Sequence, residues 1–151
     1  MSVEQKLQEL GLELPLLPKG STSYKPYYIA GSLLFLSGQG PRGSDGQLRK
    51  GRLGDGYELE AGIADAQTIA LQLLATAKVA LGDLDRIVGV VRILGLVNST
   101  PEFTEQPKVI DGCSKLFNEV LGDRGHARSA VGAIALPSGI SVEIEAILEI
   151  K

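Results

Sequence analysis

A chain of 151 residues is long enough to bury one real core, and a single domain spanning residues 1–151 is expected. A formal net charge of −3 and a pI near 5.2 give no whole-chain pull toward nucleic acid, and no apolar run reaches membrane-spanning length. The single cysteine excludes an internal disulfide and favours a reducing compartment, hence a cytoplasmic location.

Ser2-Val3-Glu4-Gln5 has the form of a capping box, with Ser2 as cap and Gln5 reaching back, so Ser2 to Leu10 is predicted as a brief helix. Gly11 and Pro15 end it, and Leu14-Pro15-Leu16-Leu17-Pro18 reads as an extended apolar arm laid across the body. This short helix and arm make up residues 1–20. The run from Tyr27 to Ser37 predicts a hairpin turning at Gly31-Ser32.

Gly38 to Gly56 holds seven glycines and four basic residues, Arg42, Arg49, Lys50 and Arg52. Gly38, Gly40 and Gly43 match a dinucleotide-binding GxGxxG formally, but Pro41 interrupts the run and no helix follows. A mobile surface loop with solvated charges is the expectation.

From Glu58 to Leu81 the apolar period changes to that of a helix, with Ile63, Ala66, Ala70, Leu73, Leu74, Ala77 and Leu81 on one stripe and Gly82 as the stop. Ile87 to Val97 follows as a central strand, apolar on both faces apart from Arg92. A second helix is predicted from about Glu105 to Leu121, with Pro107 tolerated in its first turn. Cys113 lies on its buried stripe and reads as a small core hydrophobe.

Gly125 to Ile150 reads as strand, turn and strand, with the turn at Leu136-Pro137-Ser138-Gly139. Alternation puts Val142, Ile144 and Ala146 on one face and Glu143 and Glu145 on the other. Carboxylates in so apolar a strand need a partner or a wet pocket, and Arg128 is the nearest candidate partner in sequence. From the residues alone, Arg128 with Glu143 is either a structural ion pair or a receptor for a small carboxylate. The one histidine, His126, is a loop residue beside such a pocket or a base within it. One histidine and one distant cysteine do not compose a zinc site. Spacing alone identifies no histidine-assisted serine or cysteine.

Ala127-Arg128-Ser129, then Leu136-Pro137-Ser138-Gly139, then Val142-Glu143-Ile144-Glu145-Ala146-Ile147 resembles the RidA/YjgF family of small trimeric proteins. The likeness runs from Tyr24 onward and includes Ser37-Gly38-Gln39 and Pro101-Glu102-Phe103. It implies an α+β, chorismate-mutase-like (ferredoxin-like) fold, a mixed sheet with the two long helices on one face. It also implies a homotrimer with sites between subunits. A strand at Ile87–Val97 that is apolar on both faces points to assembly as well, since two helices cover only one face.

By the same resemblance, Arg128 binds a substrate carboxylate, Glu143 holds the water, and Ser37 and Gly38 contact the substrate. Tyr24 is the site tyrosine by an ungapped count; Tyr27, after Pro26, fits the local context with a gap. Ala130 stands where the family often has cysteine, and His126 where proline is common, so this is a divergent member. The implied reaction is hydrolytic deamination of reactive 2-imino or enamine acids to 2-keto acids, with ammonia released and no cofactor. The alternatives are a non-catalytic module that binds or senses small carboxylates, and the endoribonuclease activity attributed to some relatives. An acidic chain without a histidine pair argues against the latter.

Overall fold

The computed structural model describes residues 1–151. Ser2 caps α1 (Val3–Glu9) through the full capping box: its Oγ accepts from the Gln5 N–H, and the Gln5 side chain accepts from the Ser2 N–H. Asp85 accepts from the Val3 N–H at 2.8 Å and Glu4 pairs with Lys78, so the short helix is held on the body. The arm after it packs only in part. Leu12 and Leu14 lie against the core, whereas Leu16 is 98% exposed.

The hairpin forms as β1 (Tyr27–Ala30) and β2 (Leu33–Gln39), with Gly31 at φ 60° in the turn, where a side chain would be strained. Then come α2 (Leu59–Leu81), a short turn of 3-10 helix at Leu84–Arg86, β3 (Ile87–Asn98), α3 (Gln106–Leu121), β4 (Ala127–Ala133) and β5 (Val142–Ile150). The sheet order is β1-β2-β5-β3-β4; β4 runs parallel to β3 and every other neighbour is antiparallel. This is the α+β mixed sheet that the sequence predicts. No helix is long and apolar enough to cross a membrane.

Both long helices pack on one face, over Leu34, Leu36, Ile93, Val97, Val142, Ile144, Ala146 and Leu148. They approach each other closely at Gly112, where an added Cβ would sit 2.3 Å from the Ile63 carbonyl oxygen. Cys113 is fully buried in this core, and burial pushes its thiol well above the ordinary range, as expected of a packing residue. The opposite face carries Phe35, Leu94, Leu96, Val131 and Ile147 with no element of this chain over them.

Two expectations are corrected. The glycine-rich segment is not a free surface loop. Leu53 is wholly buried, its N–H donates to the Asn98 carbonyl at 2.8 Å, and its carbonyl accepts from Thr100. The Gln72 side chain accepts from the Arg42 N–H and donates to the Gly40 carbonyl. The buried Asp65 of α2 accepts from both Tyr57 and Ser141, each at 2.5 Å, which joins this segment to the start of β5. Burial, then the Asp65 hydrogen bond, pushes the Tyr57 hydroxyl up to about 12. Of its cations, Arg49 and Lys50 are solvated as expected, whereas Arg52 Nε is buried.

The second correction concerns the last two strands, which carry the candidate partners Arg128 and Glu143. They do not lie side by side, because β3 is inserted between them. A parallel β3–α3–β4 crossover sends β4 to the sheet's edge under α3, and this decides where Arg128 points.

Candidate functional site

The expected site residues fall into two groups. The first lies on the face without helices. The β2–β5 register slips between Leu36 and Gln39, so Ser37 and Gly38 together oppose Glu145, an irregularity of the kind that re-aims side chains beside binding sites. The Ser37 hydroxyl donates to the Lys25 carbonyl at 2.7 Å, and the Ser37 N–H donates to that of Pro26. The segment ahead of β1 is thereby fastened to the slip.

Gly38 fits beneath Glu143: a Cβ there would stand 3.3 Å from both Cγ and Cδ of the glutamate. Burial, and then the charge of Glu145, raises the Glu143 carboxyl above its ordinary value. Beside it opens a cleft of about 480 Å³ lined by Lys25, Tyr27, Tyr28, Phe35, Arg92 and Glu145 among others. Tyr27 leans on the core, whereas Tyr24 is 63% exposed.

The second group lies on the helix side, at the sheet's edge. Arg128 pairs with Ile93, whose side chain is in the core, so Arg128 shares that face. Glu143 pairs with Leu96, which in turn pairs with Val131, three residues from Arg128 and therefore on the other face. The expected Arg128–Glu143 pair does not form within the chain. Instead Arg128 Nη1 donates to Asp111 Oδ1 at 2.7 Å and to Ser114 Oγ at 3.2 Å. Ser114 Oγ is also 2.9 Å from His126 Nε2.

Ser114 Oγ accepts from Arg128 and still has a proton to give and a second lone pair, so it pairs with His126 Nε2 in either tautomer of the neutral ring. Burial, then the Arg128 charge, holds the imidazole below its ordinary value, which agrees with a neutral ring. Nδ1 is buried without a partner in this chain. His126 is thus a supporting member of the cluster.

The guanidinium is anchored on one side only. Both hydrogen bonds use Nη1; Nε and Nη2 have no acceptor in the chain, yet neither is a buried unpartnered atom. The Nε–Nη2 edge therefore reaches solvent, and it is the edge that binds a carboxylate with two parallel hydrogen bonds. Asp111 and Ser114 are the partners that sequence reasoning missed. Their signal was two polar residues, three apart on a helix, beside the apolar stripe of Val109, Cys113, Leu116, Phe117 and Val120. No group of three or more His, Cys, Asp or Glu side chains is placed to hold a metal ion.

A family model described as "YjgF/chorismate_mutase-like, putative endoribonuclease" matches residues 4–140. Protein TCP17 of Trypanosoma cruzi is 41% identical over 151 residues, covering 99% of this chain and 94% of its own. Atu1372 of Agrobacterium tumefaciens, a protein of unknown function, superposes with a TM-score of 0.90 at 43% identity, covering 99% of this chain and 94% of its own. A Shewanella oneidensis protein described in the same endoribonuclease terms superposes at 0.94 with 33% identity, covering 99% of this chain and 100% of its own.

Proposed function

We propose that this chain, which belongs to the RidA/YjgF (YjgF/chorismate-mutase-like) family, hydrolyses reactive 2-imino and enamine acids to 2-keto acids and ammonia. The observation that carries this reading is the half-anchored Arg128. Its Nη1 is held by Asp111 and Ser114, and its Nε–Nη2 edge is left open to a planar carboxylate.

Within one chain Glu143 faces away from Arg128, so the reading requires a second copy to complete the site. The uncovered apolar face of Phe35, Leu94, Leu96, Val131 and Ile147 supports a homotrimer that brings Arg128 of one subunit to the Tyr24–Ser37–Gly38–Glu143 group of another. Arg128 then anchors the carboxylate and Glu143 orients a water. The water oxygen bonds to the imine carbon as the C=N electron pair moves to nitrogen. Glu143 accepts the water's proton and passes it to that nitrogen. The carbinolamine's hydroxyl proton is then carried to the amine nitrogen, and the C–N bond breaks to release ammonia as the carbonyl forms. Imines hydrolyse unaided, so positioning supplies much of the rate.

The test generates a 2-imino acid in situ with an amino-acid oxidase and follows its disappearance. The protein accelerates that loss, and Arg128→Ala and Glu143→Gln do not. Equal rates with and without the wild-type protein would refute the activity. Binding of 2-keto acids that persists in that case would support the sensing module instead.

A second reading, endoribonuclease, is favoured by the description shared by the family model and the Shewanella relative. It predicts RNA binding that weakens steeply with salt, and RNA cleavage by the purified protein.

A further inference from the structure

The partner that anchors Arg128 is itself a carboxylate, and it remains partly in water. The Asp111 side chain is 39% exposed and that of Arg128 is 23% exposed. Asp111 Oδ1 takes Nη1, and the open Nε–Nη2 edge lies on the same small, rigid guanidinium. Any ligand carboxylate on that edge is therefore bound a short distance from a fixed negative charge. The other group in the cluster that could carry positive charge, His126, is spent on Ser114 and is neutral.

The charge sum decides what such a receptor accepts. Arg128 with Asp111 is neutral before any ligand arrives. One ligand carboxylate gains two charge-assisted hydrogen bonds from the outer edge and leaves the assembly at −1. A second carboxylate on the same ligand finds no cation among the groups that Arg128 touches and meets the field of Asp111, in a partly desolvated setting where like charges repel more than in water; in the cleft of the Glu143 group, Lys25 and Arg92 are offset by Glu143 and Glu145.

We propose that Asp111 is a specificity-determining residue that restricts the Arg128 receptor to monocarboxylates and rejects dicarboxylates. This rests on the reading of Arg128 as a carboxylate receptor. It goes further by assigning selectivity to a residue that also fixes the fork. Asp111 and Ser114 lie three apart on α3 and hold Nη1 from the same helix face, so orientation and exclusion come from the same contact.

The test uses two keto acids matched in length, 2-oxopentanoate and 2-oxoglutarate. Their dissociation constants are measured by titration calorimetry on the full-length protein in its native assembly, at low ionic strength. Wild type is expected to bind 2-oxopentanoate tighter by about tenfold or more. Asp111→Asn keeps an oxygen for Nη1 but removes the charge. It is expected to tighten both ligands, because each places one carboxylate beside Asp111, and to tighten 2-oxoglutarate more, so that the wild-type preference shrinks by about threefold or more.

Asp111→Glu keeps the charge and should keep the discrimination, which preserves the test if the asparagine variant folds poorly. Added salt should shrink the wild-type preference. If Arg128→Ala abolishes both ligands but Asp111→Asn leaves their ratio at the wild-type value, the specificity role is overturned and the receptor stands. If Arg128→Ala leaves binding of both ligands intact, the receptor reading fails and this inference fails with it.

Discussion

Arg128 and Glu143 stand on opposite faces of one sheet, on strands separated by β3, with Arg128 under α3 and Glu143 over Gly38. The two residues best suited to hold a carboxylate and to direct a water therefore cannot serve the same ligand within one chain. A site that uses both is necessarily shared between copies.

Subunit mixing tests this directly. Arg128→Ala and Glu143→Gln are each expected to be inactive alone. In a homotrimer reassembled from equal amounts of the two, about a quarter of the sites receive an intact arginine from one subunit and an intact glutamate from its neighbour. Activity should recover to about that fraction. Persistent inactivity in demonstrably mixed trimers would rule out the shared site. Val131→Asp, on the uncovered face and outside the cleft, should dissociate the assembly and abolish activity without touching a site residue, as light scattering and the imine assay would report.

The energetic cost of losing Arg128 follows from its partner. Asp111 is partly exposed, so Arg128→Ala leaves a carboxylate that water can reach. The expected destabilisation is about 1 kcal/mol or less, well short of the 3–5 kcal/mol for breaking a buried pair. Carboxylate binding is lost nonetheless, and Arg128→Lys restores little, because one ammonium cannot hold Asp111 and also present a planar fork. Thermal melting and ligand titration of both variants check this. A variant that stays folded and still turns over imine at the wild-type rate would remove Arg128 from the mechanism.

Gly38 offers a milder probe. A methyl group there would press on Cγ and Cδ of Glu143 at 3.3 Å, so Gly38→Ala should displace the carboxylate by a few tenths of an ångström. Its backbone is not in the left-handed region, and the fold should lose less than about 1 kcal/mol. Misplacement near the reacting atoms is expected to lower kcat by about tenfold or more. Unchanged kcat with unchanged melting would show that Glu143 needs no such placement.

The two shifted groups set opposite pH trends. His126 has a folded pKa lowered below 6.5, so its contribution to stability is complete above that value and is lost as pH falls through the folded pKa. His126→Gln should flatten the part of the melting profile just below pH 6.5. Glu143 has a folded pKa raised above 4.5; its contribution is complete below 4.5 and is lost as pH rises through the folded pKa. In the proposed reaction the carboxylate is the working form, so the acid limb of kcat/KM should lie above the ordinary glutamate value. A limb at or below 4.5 would separate activity from Glu143.

Much of this was legible in one dimension. The capping box at Ser2, the glycine turn at Gly31, the helical stripe ending at Gly82 and the alternation of Val142 to Ala146 against Glu143 and Glu145 are local patterns, and the elements follow them. The family likeness was carried by short motifs around Arg128 and Glu143, and the fold it implied is the fold found.

What only the tertiary structure decided was who faces whom. A period of two says that Arg128 and Ala130 share a face of β4, but not whether that face meets solvent, a strand or a helix. The insertion of β3 between β4 and β5 turned Arg128 away from Glu143 and gave it Asp111 and Ser114. The glycine-rich segment likewise read as free because its hydrogen-bond partners, Gln72, Asn98 and the carboxylate of Asp65, are distant along the chain. Periodicity and turn chemistry are properties of neighbouring residues. Strand order and helix docking depend on burying the whole apolar surface at once, and no local stretch contains that information.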